Sequence, residues 1–207
     1  MITRIQALRF RSLKSVDQPI GQFQSLVGPN ASGKTTFLDV ITLLGDMIRN
    51  RGDVNQTIRQ RSVSFEKLLW MGEGASFQLA IEAEIPKKVR ASMASDKKGF
   101  AKVRYEVELG INAEKNEIGL NHETLWLLEG AQEELLQRDL FPQFREAPQS
   151  IFLNPGKKRR VAIKKTPGGN DNYYTEGTKT YMPSFRLGRS RSALANIDLA
   201  PISRTTD

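Results

Sequence analysis

The chain has 207 residues, no cysteine, a formal net charge of +8, 39% hydrophobic and 26% charged residues. That length fits one domain, or one domain with a sizeable insertion, able to bury a real core. The missing cysteines exclude disulfides, zinc fingers and thiol nucleophiles. The N-terminus opens as an alternating strand rather than a signal peptide, and no apolar run is long enough to span a membrane. A cytoplasmic protein without membrane contact is the expectation.

Ile2, Ile5, Leu8 and Phe10 predict an opening strand, broken at Ser12–Ser15, with Pro19 and Gly21 marking a turn. Phe23–Val27 is short and apolar and predicts a buried strand. Then comes Gly28-Pro29-Asn30-Ala31-Ser32-Gly33-Lys34-Thr35, a complete G-x-x-x-x-G-K-[ST] phosphate loop. Glycines allow a tight turn and close approach of an anion. Successive amides form a nest for phosphate oxygens, and the helix start adds free donors and its positive dipole end. Lys34 would reach the β- and γ-phosphates as the catalytic cation, Thr35 would bind Mg²⁺, and Thr36 would follow on to the α-phosphate.

After the loop, Phe37, Leu38, Val40, Ile41, Leu43, Leu44, Met47 and Ile48 recur at helical spacing, predicting a helix from Lys34 to Ile48 buried on most sides. Residues 53–64 read as a loop or short surface helix, and Phe65–Trp70 as an apolar patch. Phe77–Ile85 and Val103–Leu109 alternate cleanly, with a polar connector between them at 87–98. Ile118, Leu120 and Leu125–Leu128 follow as shorter elements of an antiparallel meander with one wet face. Residues 132–140 carry a short helical pattern. Ile151–Leu153 and Val161–Ile163 read as strands, Thr166–Asn172 as a turn, Tyr173–Thr175 as a returning strand, and Ser192–Ile197 as the start of a helix.

The charge is uneven: residues 1–150 carry a net of +1 and residues 151–207 a net of +7. The basic run over 157–165 is the candidate for DNA contact, against the plainer reading of solvated loop and edge lysines. His122, the lone histidine, reads as a surface or hydrogen-bonded residue of the β region rather than a catalytic one.

A strand, a turn, a strand, GPNASGKT and a buried helix, followed by an antiparallel meander, resembles the start of an ABC-type ATPase head. The nearest resemblance is to the SMC/RecF-like and overcoming-lysogenization-defect-like AAA ATPases of genome maintenance and phage defence. Ile5–Leu13 and Leu26–Leu38 carry it. The resemblance implies an α/β P-loop NTPase fold: the N-terminal part of an ABC-type head with an antiparallel β meander lobe. Residues 1–52 would form the phosphate-loop core, 53–190 a mostly antiparallel β lobe, and 191–207 the truncated start of a helical lobe. It further implies ATP and Mg²⁺ as cofactors, held by Gly28, Pro29, Asn30, Ala31, Ser32, Gly33, Lys34, Thr35 and Thr36. Arg9, Arg11 and Ser12 would line the adenine or phosphate side, and a glutamine, Gln60 or Gln78, would sense Mg²⁺.

Such heads also use an LSGG-type signature, a strand of four apolar residues ending in Asp-Glu, and a switch histidine; none occurs in these 207 residues. Leu125–Glu129 has the apolar run and a carboxylate but not the aspartate, and reads as a strand end. The sequence therefore predicts the N-terminal half of a head. It would bind ATP, pair with a second head (a homodimer or a complementary C-terminal half), and couple ATP to nucleic-acid handling if that pairing completes the site. Because the later strands of the sheet would be missing, part of the 34–48 helix face should be uncovered. A non-hydrolysing, nucleotide-gated scaffold or partner subunit is the alternative, and a small-molecule kinase of the P-loop class fits less well with the long meander.

Overall fold

A computed structural model describes residues 1–93, 99–112, 117–130, 146–166, 168–174, 184 and 186–199. The helical pattern expected over 132–140 lies outside the described residues. The architecture is α/β, with a phosphate-loop helix packed on a seven-stranded sheet of order β2-β1-β3-β4-β5-β6-β7. Every neighbouring pair is antiparallel. The strands are β1 (Ile2–Phe10), β2 (Leu13–Pro19), β3 (Ser76–Glu84), β4 (Phe100–Asn112), β5 (Glu117–Glu129), β6 (Arg159–Lys165) and β7 (Asp171–Tyr173). The helices are α1 (Lys34–Arg49), α2 (Val54–Arg59) and α3 (Lys87–Ser92).

Strand alternation divides the sheet into two faces. Ile5, Ala7, Phe77, Leu79, Tyr105 and Val107 share a core with Phe37, Val40, Leu43, Leu44 and Met47 of α1. Phe77 sits between Phe10 and Phe65, with ring centroids at 4.9 and 5.6 Å. This contact fixes the 3₁₀ turns Glu66–Leu68 and Trp70–Gly72 against the end of β1. An isolated bridge from Phe10 to Leu69 and a 2.9 Å bond from the Arg11 amide to the Leu68 carbonyl hold the same junction.

Several expectations are corrected. Residues 13–19 are not only a break: they form edge strand β2, whose register with β1 is set by the tight turn at Arg11 and Ser12. The connector 87–98 begins as the short helix α3. The two pieces foreseen around Ile118 and Leu125 are one 13-residue strand, interrupted by bulges rather than by turns. Ile151–Leu153 belongs to no strand of the sheet.

The face expected to be wet is covered over its centre by the extended segment 147–153. The buried Arg104 guanidinium bonds Glu106 and Glu82 at 2.9 Å each and the Ile151 carbonyl at 2.7 Å. Glu106 in turn accepts from the Trp126 indole at 2.7 Å and from the Leu153 amide.

The largest correction concerns residues 21–27. They form no strand; Phe23 is 90% and Val27 91% exposed. A strand buried on both faces exists only when neighbours pair with its edges and cover its surfaces. The described residues place no strand beside this segment, so its apolar pattern has nothing to build on. For the same reason α1 is buried along one side only, with Leu38 52% and Ile48 48% exposed. The expected buried-all-round helix gives way to the expected uncovered face.

Candidate nucleotide site

The phosphate loop lies between the exposed segment 21–27 and the first turn of α1. Residues 21–32 are all solvent-exposed. Ala31 and Gly33 have φ of 63° and 90°, so the chain reverses twice within three residues. At Gly33 an added Cβ would stand 3.1 Å from Leu13 Cδ2, and at Gly28 it would stand 2.8 Å from Ser32 Oγ. Side chains at either position would strain or fill the concavity. The helix start has no side-chain cap and no acidic residue in its first turn. Its leading amides are thus left for an anion, with no carboxylate competing for them.

Lys34 lies across the loop. Its Nζ donates to the carbonyls of Gly28 at 2.8 Å and Pro29 at 2.6 Å, and to Ser32 Oγ at 3.3 Å. The ammonium is therefore already over the concavity, bound to neutral oxygens that a phosphate would replace with charged ones. Ser12 Oγ donates to Thr36 Oγ1 at 3.0 Å, tying the β1–β2 turn to the first turn of α1.

Beside that bond opens a cavity of about 510 Å³ lined by Arg11, Ser12, Thr36, Glu66, Lys67 and Leu69, with Met71 and Gly72 at its edge. Arg11 and Ser12 thus stand where expected, whereas Arg9 is not among the lining residues. Glu66, Lys67 and Met71 were not foreseen. They arrive through the 3₁₀ turns, whose apolar residues read only as a patch. Met71 has φ 57°, rare for a side chain other than glycine, and is 74% exposed.

Arg11 is held by a second group that sequence patterning did not single out. Asp39, on the second turn of α1, accepts from Arg11 at 2.7 Å on one oxygen and from Arg61 at 3.3 Å on the other. Arg61 continues to Asp46 at 2.6 Å and to the Thr57 carbonyl at 3.2 Å. One carboxylate therefore links the turn beside the loop to the end of α2. Within α1 Asp39 had looked like an ordinary polar position on the helix.

Other candidates lie elsewhere. Gln78 faces the side of the sheet opposite α1, giving its amide to Glu108 and taking the Ile151 amide, both at 3.0 Å. Gln60 accepts from Asn50 at 3.1 Å near the other end of α1. His122 stacks on Phe152 with centroids 3.9 Å apart and lies 3.0 Å from the Thr124 hydroxyl. Leu125–Glu129 is paired on both sides within the antiparallel sheet, with Glu129 exposed at its end, which keeps the strand-end reading. Within the basic run Lys165 is buried, its ammonium 2.9 and 3.0 Å from the Asp171 carboxylate. It is therefore unavailable to a polyanion, which corrects the upper end of the expected DNA-contact stretch.

The donor set fits a nucleotide triphosphate: one ammonium, the hydroxyls of Ser32, Thr35 and Thr36, open helix amides, and a cavity next to Thr36. Among the described residues no group of three acidic, histidine or cysteine side chains could hold a metal by itself.

Residues 23–114 match the family described as an AAA domain, putative AbiEii toxin of a type IV toxin–antitoxin system. An OLD nuclease from Thermus scotoductus is 48% identical over 48 residues, which span 23% of this chain and 9% of that protein. A solved structure from work on ATP-driven dimerization and DNA-stimulated activation of SMC ATPases covers 60% of this chain and 68% of its own, at 19% identity and a TM-score of 0.41. Residues 23–114, from the segment before the loop through α1 into β4, are thus similar to an AAA domain, and the OLD nuclease match spans under a tenth of that protein.

Proposed function

We propose that this chain binds ATP·Mg²⁺ on residues 28–36 and acts as one part of an ATPase head that pairs with a second head or a complementary C-terminal half. The observation that carries the reading is Lys34, stretched over the open loop on two carbonyl oxygens at 2.6 and 2.8 Å. Bound ATP·Mg²⁺ supplies the transferable phosphoryl group. Lys34 would give up its carbonyl partners and neutralise phosphate charge as it moves, the role such a lysine has in phosphoryl transfer. Thr35 would offer its hydroxyl to Mg²⁺. Arg11 and Ser12, held by Asp39 and Thr36, would line the remainder of the nucleotide.

The pairing reading rests on exposed apolar side chains before the loop and along α1: Phe23, Val27, Leu38 and Ile48. Such a patch is what a partner lobe would cover. Coupling to nucleic acid through the basic run is the third part of the proposal. The alternative, a non-hydrolysing scaffold, uses the same loop and differs only in turnover.

Titration of a fluorescent ATP analogue tests the core of the proposal. Binding in the micromolar range that needs Mg²⁺ and is lost in Lys34→Ala is the expected result, with little or no turnover. Analogue binding that ignores Lys34→Ala would overturn it. Robust hydrolysis by this chain, abolished by Lys34→Ala, would place a complete catalytic set within these residues and remove the scaffold alternative.

A further inference from the structure

Three stretches far apart in the sequence meet at one end of the sheet. Lys102 on β4 stands opposite Glu84 on one side and Leu128 on the other, and Leu128 stands opposite Arg159. Directly opposed residues share a face, so Lys102 and Arg159 lie in one row across the strands. The Glu129 amide donates to the Lys158 carbonyl at 3.0 Å, which sets Lys157 and Lys158 beside that row. The Ile85 amide donates to the Ala101 carbonyl at 2.8 Å, so α3, carrying Lys87 and Lys88, starts from the same end.

Lys87, Lys88, Lys157 and Lys158 are exposed, and Lys102 and Arg159 are half-buried. None of the six forms an ion pair with another described residue. The carboxylates among them are Glu84 and Glu129.

This end is remote from the phosphate loop. The Glu84 amide donates to the Met1 carbonyl at 2.9 Å, level with the start of β1, whereas the loop adjoins the other end of that strand through Ser12 and Leu13. A nine-residue strand keeps the two about 30 Å apart.

We propose that this end of the sheet is a docking surface for the phosphate backbone of duplex DNA. The inference rests on the reading of the basic run as a nucleic-acid contact and deepens it. It adds Lys87 and Lys88, which the sequence leaves in a connector, and Lys102, which precedes the expected strand at 103–109, and it removes Lys165, which is spent on Asp171. Ammonium groups on long stems suit phosphates as point charges. Two strands apart, Lys102 and Arg159 are separated by about 10 Å, close to the rise of three base pairs along a duplex axis. A surface made of lysines positions a duplex without reading its bases. Binding is therefore independent of base sequence, and at this distance independent of the nucleotide loop.

The test is fluorescence anisotropy with a labelled duplex of random sequence over a range of KCl concentrations. The wild-type affinity should fall with a log–log salt slope of about −5 if all six cations engage. Lys87→Glu/Lys88→Glu/Lys102→Glu should weaken binding by at least about tenfold and flatten the slope by about 3, from the loss of three contacts. Lys157→Glu/Lys158→Glu should act in the same direction. Lys14→Glu/Arg59→Glu, away from this end, and Lys34→Ala should leave duplex binding unchanged. If the triple variant behaves like the Lys14/Arg59 control while Lys157→Glu/Lys158→Glu weakens binding, the extended surface is wrong and the basic-run reading survives. If the wild type binds no duplex at low salt, or binds anionic vesicles instead, both fall.

Discussion

The phosphate loop and the middle of the sheet treat polar groups in opposite ways. In the middle of β4 and β5 the buried carboxylates Glu106 and Glu123 are each held by several hydrogen bonds. Glu123 accepts from the Tyr105 hydroxyl at 2.8 Å, from Ser192 Oγ, and from the Ala193 and Leu194 amides at 2.7 and 3.1 Å. On the opposite face Glu106 gathers Arg104, Trp126 and the 153 amide, so each carboxylate fastens one extended segment to the sheet. At residues 28–36 the helix start carries no side-chain cap, and the Lys34 ammonium rests mainly on main-chain oxygens. Satisfied buried groups specify a structure, whereas uncapped, accessible donors contribute little to it. Mutations should separate the two regions cleanly: the first should move stability alone, the second binding alone.

The largest effect is expected at Glu123. Glu123→Ala removes the shared acceptor of two hydroxyls and two amides, and should cost about 3–5 kcal/mol. Urea denaturation would show a drop in midpoint, with segment 190–196 released first in hydrogen exchange. Lys34→Ala should do the reverse. We expect a loss of about 100-fold in ATP-analogue affinity, or about 2.7 kcal/mol, with an unchanged melting midpoint. If Lys34→Ala destabilised the fold as Glu123→Ala does, the contrast between the two regions would fail.

Next in size is the network behind Arg11. Asp39→Asn weakens the hold on Arg11 and Arg61 and should lower nucleotide affinity by about threefold to tenfold, or 0.7–1.4 kcal/mol. The loss should vanish in an Arg11→Ala background, where there is nothing left to position. Additive losses in the double variant would mean Asp39 acts through α2 instead.

The pH response sharpens the same comparison. Burial pushes the Glu106 carboxyl up, but hydrogen bonds from His122, Trp126 and Arg104, with the charge of Arg104, outweigh it and hold the group below its ordinary value. Its contribution is complete above about pH 4.3, the unfolded carboxylate value, and is lost as pH falls further. Tyr105 is pushed well above the usual tyrosine range by burial and then by Glu123, and Tyr173 is raised by burial and then by Asp171. Their contributions are full below about pH 10 and are lost at higher pH. Melting midpoints should therefore decline on both flanks. A flat response below pH 4 would sink the account of Glu106.

The smallest effect on the isolated chain is expected at the exposed apolar residues. Phe23→Ser and Val27→Ser should shift stability by less than about 0.5 kcal/mol, as surface substitutions do. If a complementary lobe covers them, the same changes should abolish its capture. Size-exclusion chromatography with that lobe would show the loss, and undiminished capture would move the pairing surface elsewhere.

What the sequence settled by itself was local. The eight residues from Gly28 to Thr35 carry a complete phosphate-loop pattern, whose glycines, helix start and lysine all lie within a few residues of one another. The α1 helix and strands β3 and β4 were legible from their periodicity for the same reason. Tertiary structure decided what depends on partners. Phe23–Val27 has a strand's composition yet forms none, because a strand needs neighbours at its edges. Residues 13–19 look like a break yet form one, because β1 supplies a ladder. The meander's polar face is buried because Arg104 and Glu106 meet segment 147–153, and Lys165 leaves the basic surface because Asp171 lies beneath it. Each of those outcomes is a contact between residues distant in the chain, and residue order alone carries no record of it.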